Sequence, residues 1–166
     1  KDVREDIVLA TKFRLPMDEH LIHSGATRGN IMHSVEKSLE RLQTDYIDLY
    51  LIHWPFPGRY VNTWIQMEQL CREGMVKSIG VCNFKPHHLD HLINEATIIP
   101  VVNQIELHPL FTQWDTVDYC RKKDIALMSY TPLGRMNPTL IRNQFLESLA
   151  MKYGKTVPQI ILRWNI

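Results

Sequence analysis

The sequence predicts an α/β fold: a parallel (β/α)8 TIM barrel, represented incompletely by about five βα units. Two observations lead there and a third decides between architectures. Five short runs are almost continuously apolar and rich in Val, Ile and Leu: Ile7–Thr11, Tyr46–Ile52, Ser78–Val81, Val101–Ile105 and Ile125–Ser129. Runs of this kind suit strands covered on both faces. Between them the apolar spacing switches to a helical period, so strand and helix alternate as in βαβ units with a parallel sheet. A doubly wound nucleotide-binding sheet would place a glycine-rich turn after its first strand. Here Thr11-Lys12-Phe13-Arg14 follows instead, and neither GxGxxG nor GxxxxGK occurs anywhere.

The helices follow in order. Ile31, Val35, Leu39 and Leu42 form an apolar stripe opposite Glu36, Lys37, Glu40 and Arg41. A helix over 61–73 is expected to stop at Gly74. Leu89, Leu92, Ile93 and Ala96 continue the pattern after Pro86, a residue favoured in a first helical turn. A helix through Phe145 and Leu149 should stop at Gly154, and Thr156 with Pro158 and Gln159 opens the last one. A closed barrel needs eight strands and usually about 250 residues, against five runs in 166 residues here. The opening Lys1 and a helix still running at Ile166 favour an internal fragment. No linker or second boundary breaks residues 1–166, so a single domain is expected.

Composition narrows the functional classes. The chain is 45% hydrophobic and 22% charged with net charge +1, which offers no electrostatic reason for nucleic acid or an acidic membrane as partner. Cys71, Cys82 and Cys120 form no CxxC pair, so neither a disulfide framework nor a thiolate zinc site is expected. No signal segment and no bilayer-length apolar run is present, and the cytoplasm is the expected compartment.

In such barrels the chemistry sits where the carboxyl ends of the strands meet the loops. Each run here ends on a polar or aromatic residue: Lys12, His53-Trp54, Cys82-Asn83, Gln104 and Tyr130-Thr131. Singly, each has a structural explanation. A histidine after a strand is usually a packed, hydrogen-bonded side chain, Asn83 could cap the helix after Pro86, and Tyr130 could be a half-buried aromatic with a wet hydroxyl. Five strand ends in register favour a site.

These residues also carry a resemblance. Leu9-Ala-Thr-Lys12, the segment 45–55 ending in His53-Trp54-Pro55, Lys77-Ser-Ile-Gly-Val-Cys-Asn-Phe84, Val102-Asn-Gln-Ile-Glu-Leu-His-Pro109, Tyr130-Thr-Pro-Leu-Gly-Arg135 and Gln159-Ile-Ile-Leu-Arg-Trp164 follow the order of the aldo-keto reductase family. The connection over 57–64 resembles members with a short first loop. On this resemblance the chain is an internal piece running roughly from strand 3 to helix 7 of the barrel.

The resemblance implies NAD(P)H-dependent reduction of aldehydes or ketones by hydride transfer, with NADPH as the family's tendency and NADH as the alternative. Lys12 and His53 match two members of the catalytic tetrad; the tetrad's aspartate and tyrosine would lie before Lys1. Asn83, Gln104 and Cys82, at a position usually serine, match the carboxamide contacts. Tyr130 matches the residue that stacks on the nicotinamide. Thr131, Leu133, Gly134 and Arg135 match the loop along the pyrophosphate, and Trp54 an aromatic wall of the substrate pocket. The basic segment that holds a 2′-phosphate would lie beyond Ile166.

A small carbonyl compound is then the expected partner, with a monomeric parent protein and an inactive isolated chain. A thiol at Cys82 is a weaker donor and acceptor than a hydroxyl. A charged Lys12 would be costly to bury without the aspartate.

Two further clusters have bland readings. His87 and His91 lie one helical turn apart, yet no carboxylate or thiolate completes a zinc set, so a solvated helix face is expected. Arg121, Lys122 and Lys123 beside Tyr119 are expected to end a helix, where cations suit the dipole. Two alternatives to a reductase stand at this level: a Schiff-base lyase or aldolase using Lys12, and a non-catalytic nicotinamide-binding module.

Overall fold

A computed structural model describes residues 3–13 and 28–166; Arg14, the end of the segment after the first apolar run, lies outside the described residues. Among the described residues, five strands form one parallel sheet in sequential order: β1 (Ala10–Phe13), β2 (Ile47–Ile52), β3 (Val76–Cys82), β4 (Val102–Glu106) and β5 (Ala126–Tyr130). Sequential order with crossovers of one hand places the helices that connect the strands on the same face of the sheet. The other face is therefore a barrel interior, and the five strands are an arc of that barrel.

The helices are α1 (Arg28–Leu42), α2 (Tyr60–Arg72), α3 (Pro86–Glu95), α4 (Trp114–Lys122), α5 (Pro138–Ile141), α6 (Gln144–Tyr153) and α7 (Val157–Asn165). Strand alternation separates two apolar sets, as a period of two requires. Phe13, Tyr50, Ile52, Ile79 and Val81 pack with Ile31 and Val35 of α1, Trp64, Met67 and Leu70 of α2, and Leu89 and Leu92 of α3. Leu49, Leu51, Cys82, Val102 and Met128 form the opposite, inward set. Gly80 belongs to this inner layer. A Cβ there would stand 2.6 Å from Val102 Cγ1 and 2.8 Å from both Leu51 Cδ2 and the Val102 carbonyl oxygen, so β3 and β4 approach closely only because the side chain is absent.

The expected strands are present with shifted ends, most of all the first. Ile7 and Val8 precede β1 and are exposed. The reason is Asp48. Its carboxylate accepts the Leu9 N–H at 3.0 Å, and the Leu9 carbonyl accepts the Asp48 and Leu49 N–H groups, both at 3.1 Å, so regular pairing starts at Ala10 opposite Leu49. Asp48 also binds Arg4 at 2.7 Å and Lys77 at 3.3 Å, and both cations lie over the Tyr46 ring. This cluster braces the amino ends of β2 and β3.

The helix signals hold. Gly74 (φ +78°) follows α2, and Gly154 (φ +59°) ends α6 in the left-handed region that suits glycine. Thr156 and Gln159 form a reciprocal capping box at α7. The four-residue α5, which the sequence pattern did not reveal, is capped by Asn137. Leu110, Leu140, Phe145, Leu149, Ile160 and Trp164 line a groove of about 1020 Å³ beside α6 and α7.

Candidate functional site

Because all five strands are parallel, their carboxyl ends share one rim. Lys12 pairs with Leu51 of the inner layer and shares its orientation. Lys12 lies on the edge strand of the arc and is exposed. His53 continues β2, with its N–H donated to the Phe13 carbonyl at 3.2 Å. Its ring lies 6.3 Å from that of Trp54, which is 44% exposed and free to meet a ligand.

Asn83 is the hub of the rim. Its Nδ2 donates to the His53 carbonyl at 3.0 Å, its Oδ1 accepts the Tyr130 hydroxyl at 2.9 Å, and its N–H donates to the Gln104 carbonyl at 2.9 Å. Its φ of +63° lies in the left-handed region, where asparagine is among the better-tolerated residues. The capping reading of Asn83 is thereby corrected. The residue before α3 is Lys85, whose N–H donates to His88 Nδ1 at 3.1 Å, and the Asn83 side chain reaches across three strand ends instead.

Beside it, Cys82 is buried at 1% exposure and donates its thiol to Gln104 Oε1 at 3.8 Å, while Gln104 Nε2 donates to the Met128 sulfur. Burial pushes the thiol up to about 11, against the opposing pull of the Lys12 ammonium. Cys82 is thus a neutral thiol near Lys12 and not a nucleophile. Burial, then the Glu106 charge, also raises the Tyr130 phenol, with Arg135 opposing. A phenol that already donates to Asn83 and holds its proton more tightly is a poor acid.

After β5 the chain turns sharply through left-handed residues: Thr131 (φ +47°), Gly134 (φ +56°), Arg135 (φ +56°) and Met136 (φ +58°). Leu133 precedes a short 3-10 turn over Gly134–Met136. Thr131 Oγ1 donates to Glu106 Oε1 at 3.1 Å, and His108 Nε2 lies 3.3 Å from the same oxygen. Sequence reasoning passed over Glu106 and His108. For Glu106 a signal existed: it lies two residues after Gln104 on one strand, hence on the same inward face.

The histidines after Pro86 are not simply a solvated face. His87 is exposed, but His91 Nδ1 is 2.7 Å from the Tyr60 hydroxyl, and the His88 ring packs against Tyr60 and Phe84. Among the described residues no group of three metal-ligating side chains is present. Lys122 ends α4 and the Lys123 N–H closes it onto the Tyr119 carbonyl at 3.1 Å, as the capping reading requires.

A barrel arc with cationic, imidazole, amide and phenol groups on one rim defines a barrel-enzyme type of site. The chain belongs to the aldo/keto reductase family, whose model matches residues 1–166. It is 49% identical over 131 residues to the glyoxal reductase of Bacillus subtilis, covering 79% of this chain and 47% of that protein. An aldo/keto reductase of Brucella melitensis superposes with a TM-score of 0.84 at 43% identity, over 97% of this chain and 59% of that one. An aldo-keto reductase of Bombyx mori in complex with NADP gives 0.83 at 34% identity, over 98% and 56%. The chain spans about half the length of the curated relatives it matches. No described helix is long and apolar enough to cross a membrane.

Proposed function

We propose that the intact protein carrying this chain reduces small aldehydes and ketones with NADPH, and that residues 1–166 form one unit supplying most of the nicotinamide site and half of the catalytic tetrad. The observation that carries this reading is the set of three strand ends tied together through Asn83, with Lys12 close enough to act on Cys82.

The donor set fits a nicotinamide carboxamide, which offers one carbonyl oxygen and one NH2 group. Asn83 uses one side-chain N–H and one lone pair within the protein, and Gln104 does the same. Each amide therefore keeps one donor and one acceptor for a ligand. Tyr130, on the same inward face of β5 as Met128, supplies an aromatic surface beside them. When bound, the reduced nicotinamide supplies the hydride.

The chain's own residues prepare the carbonyl for that transfer. Negative charge develops on the substrate oxygen, and the Lys12 ammonium favours it electrostatically. The same charge lowers the pKa of a neighbouring phenol acid from its reference of about 10. His53 donates a hydrogen bond that fixes the direction of the carbonyl. Tyr130 is not that acid, because its hydroxyl proton is committed to Asn83. No residue of 1–166 matches the family's proton donor.

The substrate class rests on relatives such as the glyoxal reductase, whose name indicates a small dicarbonyl. NADPH in preference to NADH rests on the family tendency and on the NADP complex of the Bombyx mori protein. The monomeric state, the cytoplasmic location and the absence of nucleic-acid binding are part of the same proposal. The test is cofactor oxidation by the intact protein over a panel of dicarbonyls, aldehydes and ketones with each cofactor. Turnover favouring NADPH and small dicarbonyls is expected. Silence across the whole panel with both cofactors refutes the enzymatic reading.

A further inference from the structure

The loop after β5 is the most strained segment described at the rim, and the strain has an identifiable restraint. Thr131, Arg135 and Met136 are non-glycine residues at positive φ, and Thr131 is β-branched, for which this region is a genuine outlier. Such conformations persist only where the surroundings impose them, and they cluster at functional sites. The surroundings here come from the end of β4. Glu106 pairs across the sheet with Tyr130, and its Oε1 accepts the Thr131 hydroxyl at 3.1 Å.

His108 completes the restraint. It is 7% exposed, and its Nε2 approaches the same carboxylate oxygen at 3.3 Å. A carboxylate only accepts, so Nε2 carries a proton toward Glu106. Nδ1 is buried and has no hydrogen-bond partner among the described residues. The ring lies against Gly134: a Cβ at that glycine would be 3.6 Å from Nδ1 and 3.7 Å from Cε1. The base is itself held in place. The Glu106 carbonyl accepts from Gln113 Nε2 at 2.5 Å, the Leu107 carbonyl from Ser129 Oγ at 2.6 Å, and His108 and Phe111 exchange main-chain bonds at 2.8 and 3.3 Å.

We propose that Glu106 and His108 are positioning residues that hold the Thr131–Met136 loop in its left-handed shape and thereby set the grip on the cofactor's diphosphate. The cofactor half of this inference rests on the proposed function; the brace itself rests on geometry alone. A carboxylate under an anion-binding loop is unfavourable by charge, so its presence requires a compensating role as acceptor. Glu106→Gln removes the charge and keeps an acceptor oxygen for both Thr131 and His108. Glu106→Ala removes both.

The experiment measures cofactor and carbonyl kinetics and loop hydrogen exchange in the intact protein and its Glu106→Ala, Glu106→Gln and His108→Ala variants. Glu106→Ala is expected to raise the Kd and KM for NADPH about tenfold, the order of one charge-assisted hydrogen bond. At saturating cofactor its kcat and carbonyl KM stay within about twofold, and Glu106→Gln restores cofactor binding to within about threefold. The Gly134, Met136 and Asn137 amides, which close the turn onto the Thr131, Leu133 and Gly134 carbonyls, exchange faster in both alanine variants while β2 and β3 keep their protection. Equal cofactor binding by wild type and Glu106→Ala, or no rescue by glutamine, overturns the cofactor role. Unchanged loop exchange in both alanine variants overturns the brace. A wild type that binds no nicotinamide cofactor refutes the functional reading and the cofactor role together, and the exchange comparison still decides the brace.

Discussion

Asn83 offers the sharpest mutational test of the site's architecture. Asn83→Ala deletes the bonds to the His53 carbonyl and the Tyr130 hydroxyl and leaves an alanine at φ +63°. Two hydrogen bonds at about 0.5–1.5 kcal/mol each, plus about 1 kcal/mol for the left-handed backbone, amount to roughly 2–4 kcal/mol. Asn83→Gly keeps the backbone preference and should lose only about 1–3 kcal/mol. Tyr130→Phe removes one of the two bonds and should cost about 0.5–1.5 kcal/mol.

The cycle is more telling than any single value. The Tyr130 hydroxyl spends its proton on Asn83, so Asn83→Gly with Tyr130→Phe should cost no more than Asn83→Gly alone, within about 0.5 kcal/mol. Urea unfolding of the intact protein, read as shifts in midpoint at constant slope, measures all four corners. Strict additivity of the two changes would refute the hub, because it would mean that the two side chains do not interact.

Three further outcomes follow from other parts of the molecule. Gly80→Ala should destabilise by about 1–3 kcal/mol, since a Cβ 2.6–2.8 Å from Val102 and Leu51 must push parallel strands apart; a neutral effect in thermal melts would contradict the close approach of β3 and β4. The Leu9 N–H, with Arg4 and Lys77, holds the Asp48 carboxyl at about 2 against the effect of burial. A carboxylate depressed on folding stabilises above its unfolded pKa and loses that contribution as pH falls through the folded value. The melting-temperature gap between wild type and Asp48→Asn should therefore be full near pH 6 and shrink toward pH 2, and an equal gap at both ends would exclude the linkage. Cys82→Ser should tighten NADPH binding by about 0.5–1.5 kcal/mol, because a hydroxyl is the better hydrogen-bonding group; unchanged or weaker binding on titration removes that reading.

Sequence made local and repetitive features legible. The βαβ order, the stops at Gly74 and Gly154 and the Thr156 capping box each depend on residues within a few positions of one another. The start of β1 does not: it is set by the Asp48 carboxylate, some forty residues away, capturing the Leu9 N–H. Asn83 was ambiguous for the same reason, since a capping asparagine and a cross-strand one differ only in where a side chain points after folding. Glu106 was readable from the period of β4, whereas His108 lies beyond the strand and reaches Glu106 only because the chain turns back at Phe111. That Lys12, His53, Gln104 and Tyr130 share one rim was legible because a parallel barrel gathers strand ends whatever their separation along the chain.

In the proposed function, Lys12 serves the chemistry of carbonyl reduction on a site whose cofactor contacts come from other strands. The direct measurement is Lys12→Met in the intact protein, with NADPH affinity by fluorescence titration beside carbonyl-dependent NADPH oxidation. Affinity within about threefold of wild type is expected, with a fall in kcat of about 100-fold or more, the scale of losing one preorganised electrostatic contact in a reaction site. Wild-type turnover in Lys12→Met, or loss of cofactor binding as the sole effect, would contradict it.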